Sequence, residues 1–78
     1  MNNELQRIAD HLGGEVCNDD TSIYIRIDTG DNTSKENYDD LLGLGDNINH
    51  MLSEYKIADL WADHDTQIIS FKKVIDTE

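Results

Sequence analysis

The chain has 78 residues, 37% of them hydrophobic, and its 17 acids against 6 bases give a formal net charge of -11. That length supports a single domain, residues 1–78, with a thin core, because a small globule buries a smaller share of its surface than a large one. The charge excludes direct binding to DNA, RNA or anionic lipid, which need a footprint of Lys and Arg, and makes a basic protein or a divalent cation the natural complement.

Asn2 or Asn3 caps a first helix, in which Leu5, Ile8, Ala9 and Leu12 recur at helical spacing and Gly13-Gly14 forms the stop. Glu15-Val16-Cys17 reads as a short strand and Asn18-Asp19-Asp20 as a turn. The next strand, over 21–29, is the clearest in the chain, with Ile23, Ile25 and Ile27 alternating with Tyr24, Arg26 and Asp28. After the loop Gly30-Asp31-Asn32, Thr33 and Glu36 have the spacing of a capping box, so a second helix begins near Ser34. Its apolar side is predicted to be Tyr38, Leu41, Leu42, Ile48, Leu52 and Tyr55, with Lys56 at its end and Gly43-Leu44-Gly45 bending or dividing it so that Asp46 caps a second segment. Strands over 57–62 and 66–75 follow, joined by Asp63-His64-Asp65.

The order helix, hairpin, helix, hairpin predicts an α+β fold. Its antiparallel sheet of three or four strands would be covered on one face by the two helices, since alternating strands have a single apolar side. The expected core is Leu5, Ile8, Leu12, Ile23, Ile25, Ile27, Leu41, Ile48, Leu52, Ile69 and Phe71. Cys17 is the only cysteine, which excludes an internal disulfide and a Cys/His zinc cluster. The first residues lack the basic start and apolar run of a secretory signal, and no segment is long and apolar enough to span a bilayer. A cytoplasmic location is expected.

Gly43-Leu44-Gly45 is no phosphate cradle. A dinucleotide fingerprint would need glycine at position 48, which is Ile, and Asp39, Asp40 and Asp46 would repel a bound phosphate. Asp28 to Asp39 has the length of a calcium loop but Thr33 and Asp39 where the central glycine and bidentate Glu belong. Asp46, His50 and Glu54, four apart, define one helical line that would present two carboxylates and an imidazole to a cation. Neither Cys17 nor any Ser has a nucleophile motif with His11, His50 or His64, so the chain reads as a non-enzyme without a cofactor.

The carboxylates are the remaining feature. Between Glu36 and Tyr55 there is no base, while Glu36, Asp39, Asp40, Asp46 and Glu54 accumulate; Asp59, Asp63 and Asp65 follow in another segment without bases. Acids four to six positions apart on a helix rise about 6 to 9 Å, near the spacing of successive phosphates on a nucleic-acid strand. Trp61 with Tyr24 and Tyr55, together with Leu44 and Met51, supplies candidate apolar anchors, which a protein-binding face needs and a solubilising skin does not.

In size, acidity, single-domain α+β character and lack of a catalytic motif, the chain resembles small acidic phage-encoded inhibitors of host defence, in particular anti-CRISPR proteins that act as nucleic-acid mimics. The resemblance implies a stoichiometric inhibitor whose partner is a basic nucleic-acid-binding protein or nuclease complex, contacted through Glu36, Asp39, Asp40, Asp46, Glu54, Asp59, Asp63, Asp65 and Trp61. The alternatives are an immunity protein against a nuclease toxin, a self-associating scaffold domain that forms a homodimer through Leu44, Met51 and Trp61, and a metal-dependent regulator built on Asp46, His50 and Glu54.

Overall fold

The computed structural model describes residues 3–18 and 23–73. Helix α1 spans Asn3–Leu12 and buries Leu5, Ile8 and Ala9 completely or nearly so. Asn2 and the Asn3 side chain, named above as its cap, lie outside the described residues. Its end follows from two different demands on the glycine pair. Gly13 has φ +75°, the left-handed conformation that ends helices, and the Gly14 N–H then reaches back to the Ala9 carbonyl at 2.8 Å. Gly14 lies against the next strand but one, where a Cβ would stand 2.7 Å from the Arg26 carbonyl oxygen.

Strands β1 (Glu15–Asn18) and β2 (Ile23–Asp28) pair antiparallel; the turn expected at 18–20 and the start of the strand predicted over 21–29 fall in the undescribed 19–22. Helix α2 spans Ser34–Asn49, β3 Tyr55–Ala62 and β4 Thr66–Lys73. The elements therefore follow the order helix, strand, strand, helix, strand, strand, and not the expected order helix, hairpin, helix, hairpin. The end of β4 predicted at 75 lies beyond the described residues.

All four strands form one antiparallel sheet in the order β1-β2-β4-β3. Ile23, Ile25 and Ile27 register with Phe71, Ile69 and Gln67, and Ile57, Leu60 and Ala62 register with the same three residues from the other side. Paired residues share a face, so these positions make one apolar surface. Leu5, Ile8 and Ala9 of α1 and Leu41 and Ile48 of α2 join them in a single core. Both helices thus cover the same face, with α1 over β1 and β2 and α2 over β3 and β4. Among the described residues, no helix is long and apolar enough to cross a membrane.

Helix α2 departs from its sequence reading in three ways. It runs through Gly43 and Gly45 without a break, so Asp46 is an interior helical residue and not a cap. Gly45 is buried against Leu60 and Ile57 of β3, which gives it a packing role in place of the expected bend. The buried stripe is Asn37, Leu41, Gly45 and Ile48, whereas Tyr38 and Leu42 are 43% and 46% exposed. The helix also stops at Asn49, and Tyr55 and Lys56 open β3.

The helix closes on local bonds from the His50 and Met51 N–H groups to the Asn47 and Ile48 carbonyls, and the loop beyond it is held from far away in sequence. The Glu4 carboxylate accepts hydrogen bonds from the Ser53 N–H and hydroxyl and the Glu54 N–H, the shortest at 2.8 Å, and so gathers residues 53 and 54 into a turn against α1. Burial raises the Glu4 pKa, but these donors outweigh it and hold the carboxyl below the ordinary glutamate value. Tyr55 is then carried into the core, while Leu12 and Leu52, both predicted as core, pack only partly buried against it.

Candidate acidic interface

Helix α2 carries the acids and its cap sets their direction. Thr33 Oγ1 accepts from the Glu36 N–H at 3.0 Å and Glu36 Oε1 accepts from the Thr33 N–H at 3.3 Å, which completes the predicted capping box. With the Asn37 to Ile48 stripe facing the sheet, Glu36, Asp39, Asp40 and Asp46 all fall on the exposed side of the helix. Asp39 and Asp46, seven residues apart, lie nearly on one line, with Leu42 and Tyr38 along one side of it and Glu36 and Asp40 along the other. Lys35 is the one base on the helix; its ammonium lies 2.9 Å from Asp39, which raises the lysine pKa by hydrogen bonding and by charge.

A buried amide network extends this surface to the β3–β4 turn. Asn37 is fully buried, and its Nδ2 donates to Thr29 Oγ1 at 2.8 Å and to the Asp63 carbonyl, while its Oδ1 accepts from Asn32 Nδ2 at 3.1 Å. Gln67 Nε2 donates to the Asn37 carbonyl at 2.9 Å. Backbone bonds from the Thr29 N–H to the Asp65 carbonyl and from the Asn32 N–H to the His64 carbonyl, both 2.9 Å, complete the clamp. Asp63 and Asp65 therefore stand beside the N-terminal end of α2. The sequence reading did not single out Asn37 or Gln67. A signal existed, because a polar residue at position 37 occupies the same 3.6-residue stripe as Leu41 and Ile48.

His64 projects from that turn between two acids. Its Nδ1 is 3.1 Å from Asp63 Oδ1 and its Nε2 is 3.7 Å from Asp65 Oδ2, so the hydrogen bond to Asp63 and the charges of Asp65 and Asp63 raise the imidazole pKa. Asp63 is correspondingly lowered, first by the His64 N–H at 2.7 Å and then by the ring. Potential ligand atoms of Asp63, His64 and Asp65 lie within 4.8 Å of one another, the one such group among the described residues. Their mutual ion pairing explains the cluster without a cation. The line through Asp46, His50 and Glu54 does not form, because α2 ends before Glu54. Asp28 to Asp39 is likewise divided between the end of β2 and the first turns of α2.

The predicted contact residues thus separate into groups. Glu36, Asp39, Asp40 and Asp46 lie on α2, with Asp63 and Asp65 adjoining them. Glu54 lies in the loop held by Glu4, beside the N-terminal end of α1. Asp59 and Trp61 lie on the opposite face of the sheet, registered with Ser70 and Ile68. Of the other proposed anchors, Tyr55 is buried, Leu44 packs against the core, and Met51 is 49% exposed beyond the end of α2. Beside α2, an open cleft of about 620 Å³ is bounded by Asn37, Asp40, Leu44 and Asn47, with Thr29 and Gln67 opposite. Its rim is polar and acidic. Compared with protein-family models, curated proteins and solved structures, the chain finds no match.

Proposed function

We propose that the chain is a stoichiometric inhibitor of the anti-CRISPR type, whose α2 face takes the place of nucleic-acid phosphates in the basic groove of a cytoplasmic host-defence effector. The observation that carries this reading is the exposed side of α2, where Glu36, Asp39, Asp40 and Asp46 meet a single base and adjoin Asp63 and Asp65. The axial rises from Glu36 to Asp40 and from Asp40 to Asp46 are about 6 and 9 Å. Charge of one sign over such a surface steers encounter with a Lys/Arg-lined channel and raises the association rate. Tyr38 and Leu42, exposed beside Asp39 and Asp46, supply the apolar contact that slows dissociation. Trp61 is too far round the molecule to serve the same groove.

The test adds the protein to purified guide-loaded CRISPR nuclease complexes and measures binding of their target duplex. One equivalent is expected to displace the duplex from at least one of them, and the triple variant Asp39→Lys, Asp40→Lys, Asp46→Lys to lose that effect while keeping the native circular dichroism. If no complex releases its duplex, or the triple variant competes as well as the original, the reading fails.

A further inference from the structure

The sheet has a second face that neither helix covers. By register it presents the row Glu15, Arg26, Ile68 and Trp61 and, beside it, Cys17, Tyr24, Ser70 and Asp59. Trp61 is 50% exposed there. Among the described residues, the charges on this face are Glu15, Asp28 and Asp59 against Arg26, Lys56 and Lys72, and they balance. Half of the six bases of the chain lie on this one surface, so the described residues outside it carry the excess of acid. The balance is also polarised. Glu15 and Asp28 sit at one end, sharing Arg26 at 3.8 and 3.6 Å. Lys56 and Lys72 are directly opposite each other at the other end, with Asp59 the next outward residue on β3, and neither lysine has an ion pair among the described residues. Like charges so placed repel unless acids are brought to them.

We infer that this face is the dimer interface of the protein, occupied by the same face of a second copy. A two-fold axis running across the strands between two stacked sheets reverses the strand direction while keeping each strand over its own counterpart, so Asp28 on β2 of each copy comes over the far end of the other sheet, beside Lys72 on the neighbouring β4. Trp61 and Ile68 of both copies meet between the ends, at the usual face-to-face spacing of about 10 Å. A basic partner would be drawn to α2 instead, and an acidic partner would find no net positive charge here. The same chain is the occupant whose charges match. Four strands about 4.8 Å apart and roughly 20 Å long give a plan area of roughly 400 Å² per copy, below the standard of about 800 Å² per partner, so a weak dimer is expected. The arrangement leaves both α2 faces pointing outward, and it stands whether or not those faces bind a nuclease.

Sedimentation equilibrium from about 5 µM to 1 mM in 0.15 M NaCl tests it. The protein is expected to dimerise, and Trp61→Ala to raise the dissociation constant at least ten-fold. The pair Lys56→Glu, Lys72→Glu makes both ends of the face acidic, and the pair Glu15→Lys, Asp28→Lys makes both ends basic. Each double variant alone is expected to be monomeric, and a mixture of the two to form a dimer although both remain net negative. Since the substitutions are exposed and the mixture restores association, misfolding is separated from loss of the interface. A wild type that stays monomeric at 1 mM, double variants that dimerise alone as the wild type does, or a mixture that stays monomeric overturns the inference.

Discussion

Replacing Asn37 by Ala removes the side chain that ties α2 to the β3–β4 turn. Three hydrogen bonds go: those donated to Thr29 and to the Asp63 carbonyl, and that accepted from Asn32. At about 0.5 to 1.5 kcal/mol each, they amount to roughly 1.5 to 4.5 kcal/mol. Asn32 is exposed and recovers its bond from water, whereas the carbonyl of the half-buried Asp63 loses its partner beneath the fully buried Asn37. The bond from Gln67 persists because it ends on the backbone of residue 37. The expected cost is therefore about 2 to 3 kcal/mol. A domain of this length has only about 4 to 12 kcal/mol in total, so the loss is a large fraction. Urea titration followed by far-ultraviolet circular dichroism should show the midpoint falling by about 2 to 3 M, for a slope near 1 kcal/mol/M. Asn47→Ala, at an exposed position of the same helix, should change stability by less than about 0.5 kcal/mol. A second variant, Asn37→Asp, keeps the shape but removes the donor and buries a carboxylate against the Asp63 carbonyl. Its carboxyl would have a pKa raised in the folded state, so it destabilises most at neutral pH and recovers as pH falls through that raised value toward the unfolded one. An Asn37→Ala cost below about 0.5 kcal/mol, or an Asn37→Asp as stable as the original at pH 7, would refute the assignment of the clamp to this amide.

Thr33→Ala removes one half of the capping box and should cost about 1 kcal/mol in the same titration, with Thr33→Asp close to the original. Gly43→Ala places a methyl group where nothing lies within 4 Å and should stabilise by about 0.5 to 1 kcal/mol; a loss of stability would mean that α2 does bend there. His64 should titrate by NMR above an ordinary histidine, and Asp63→Asn should bring it back down. Because its folded value is raised, its favourable contribution is complete below the unfolded value and fades as pH rises through the folded one.

The parts of the fold legible from the sequence were those encoded locally. The alternation of Ile23, Ile25 and Ile27, the Thr33 and Glu36 spacing and the Gly13-Gly14 stop each depend on neighbours within a few residues, and each appears in the structure. The loop after α2 is held by Glu4, about fifty positions earlier, a contact that no local pattern records, so the apolar periodicity through Leu52 and Tyr55 reads as helix. The hydrophobicity of Tyr38 and Leu42 points them inward by composition, whereas the buried stripe admits Asn37 and Gly45 by position. The acids of α2 could be placed on one helix from spacing alone. Their separation from Asp59 and Trp61 could not, because it follows from the bulge between Ile57 and Asp59 and from strand pairing that no local pattern records.

The strand order has a consequence for biosynthesis. β4 lies between β2 and β3 and hydrogen-bonds to both, yet it is the last described strand to leave the ribosome. Until it emerges, β2 has a free edge on the side where β4 will dock, and β3 has no partner. Nascent chains therefore hold an incomplete sheet that gains its order in a late, single step, with Ile69 and Phe71 arriving as the centre of the core. A stalled chain ending before residue 66 would lack the strand that joins its two halves, and quality-control proteases would meet it unfolded.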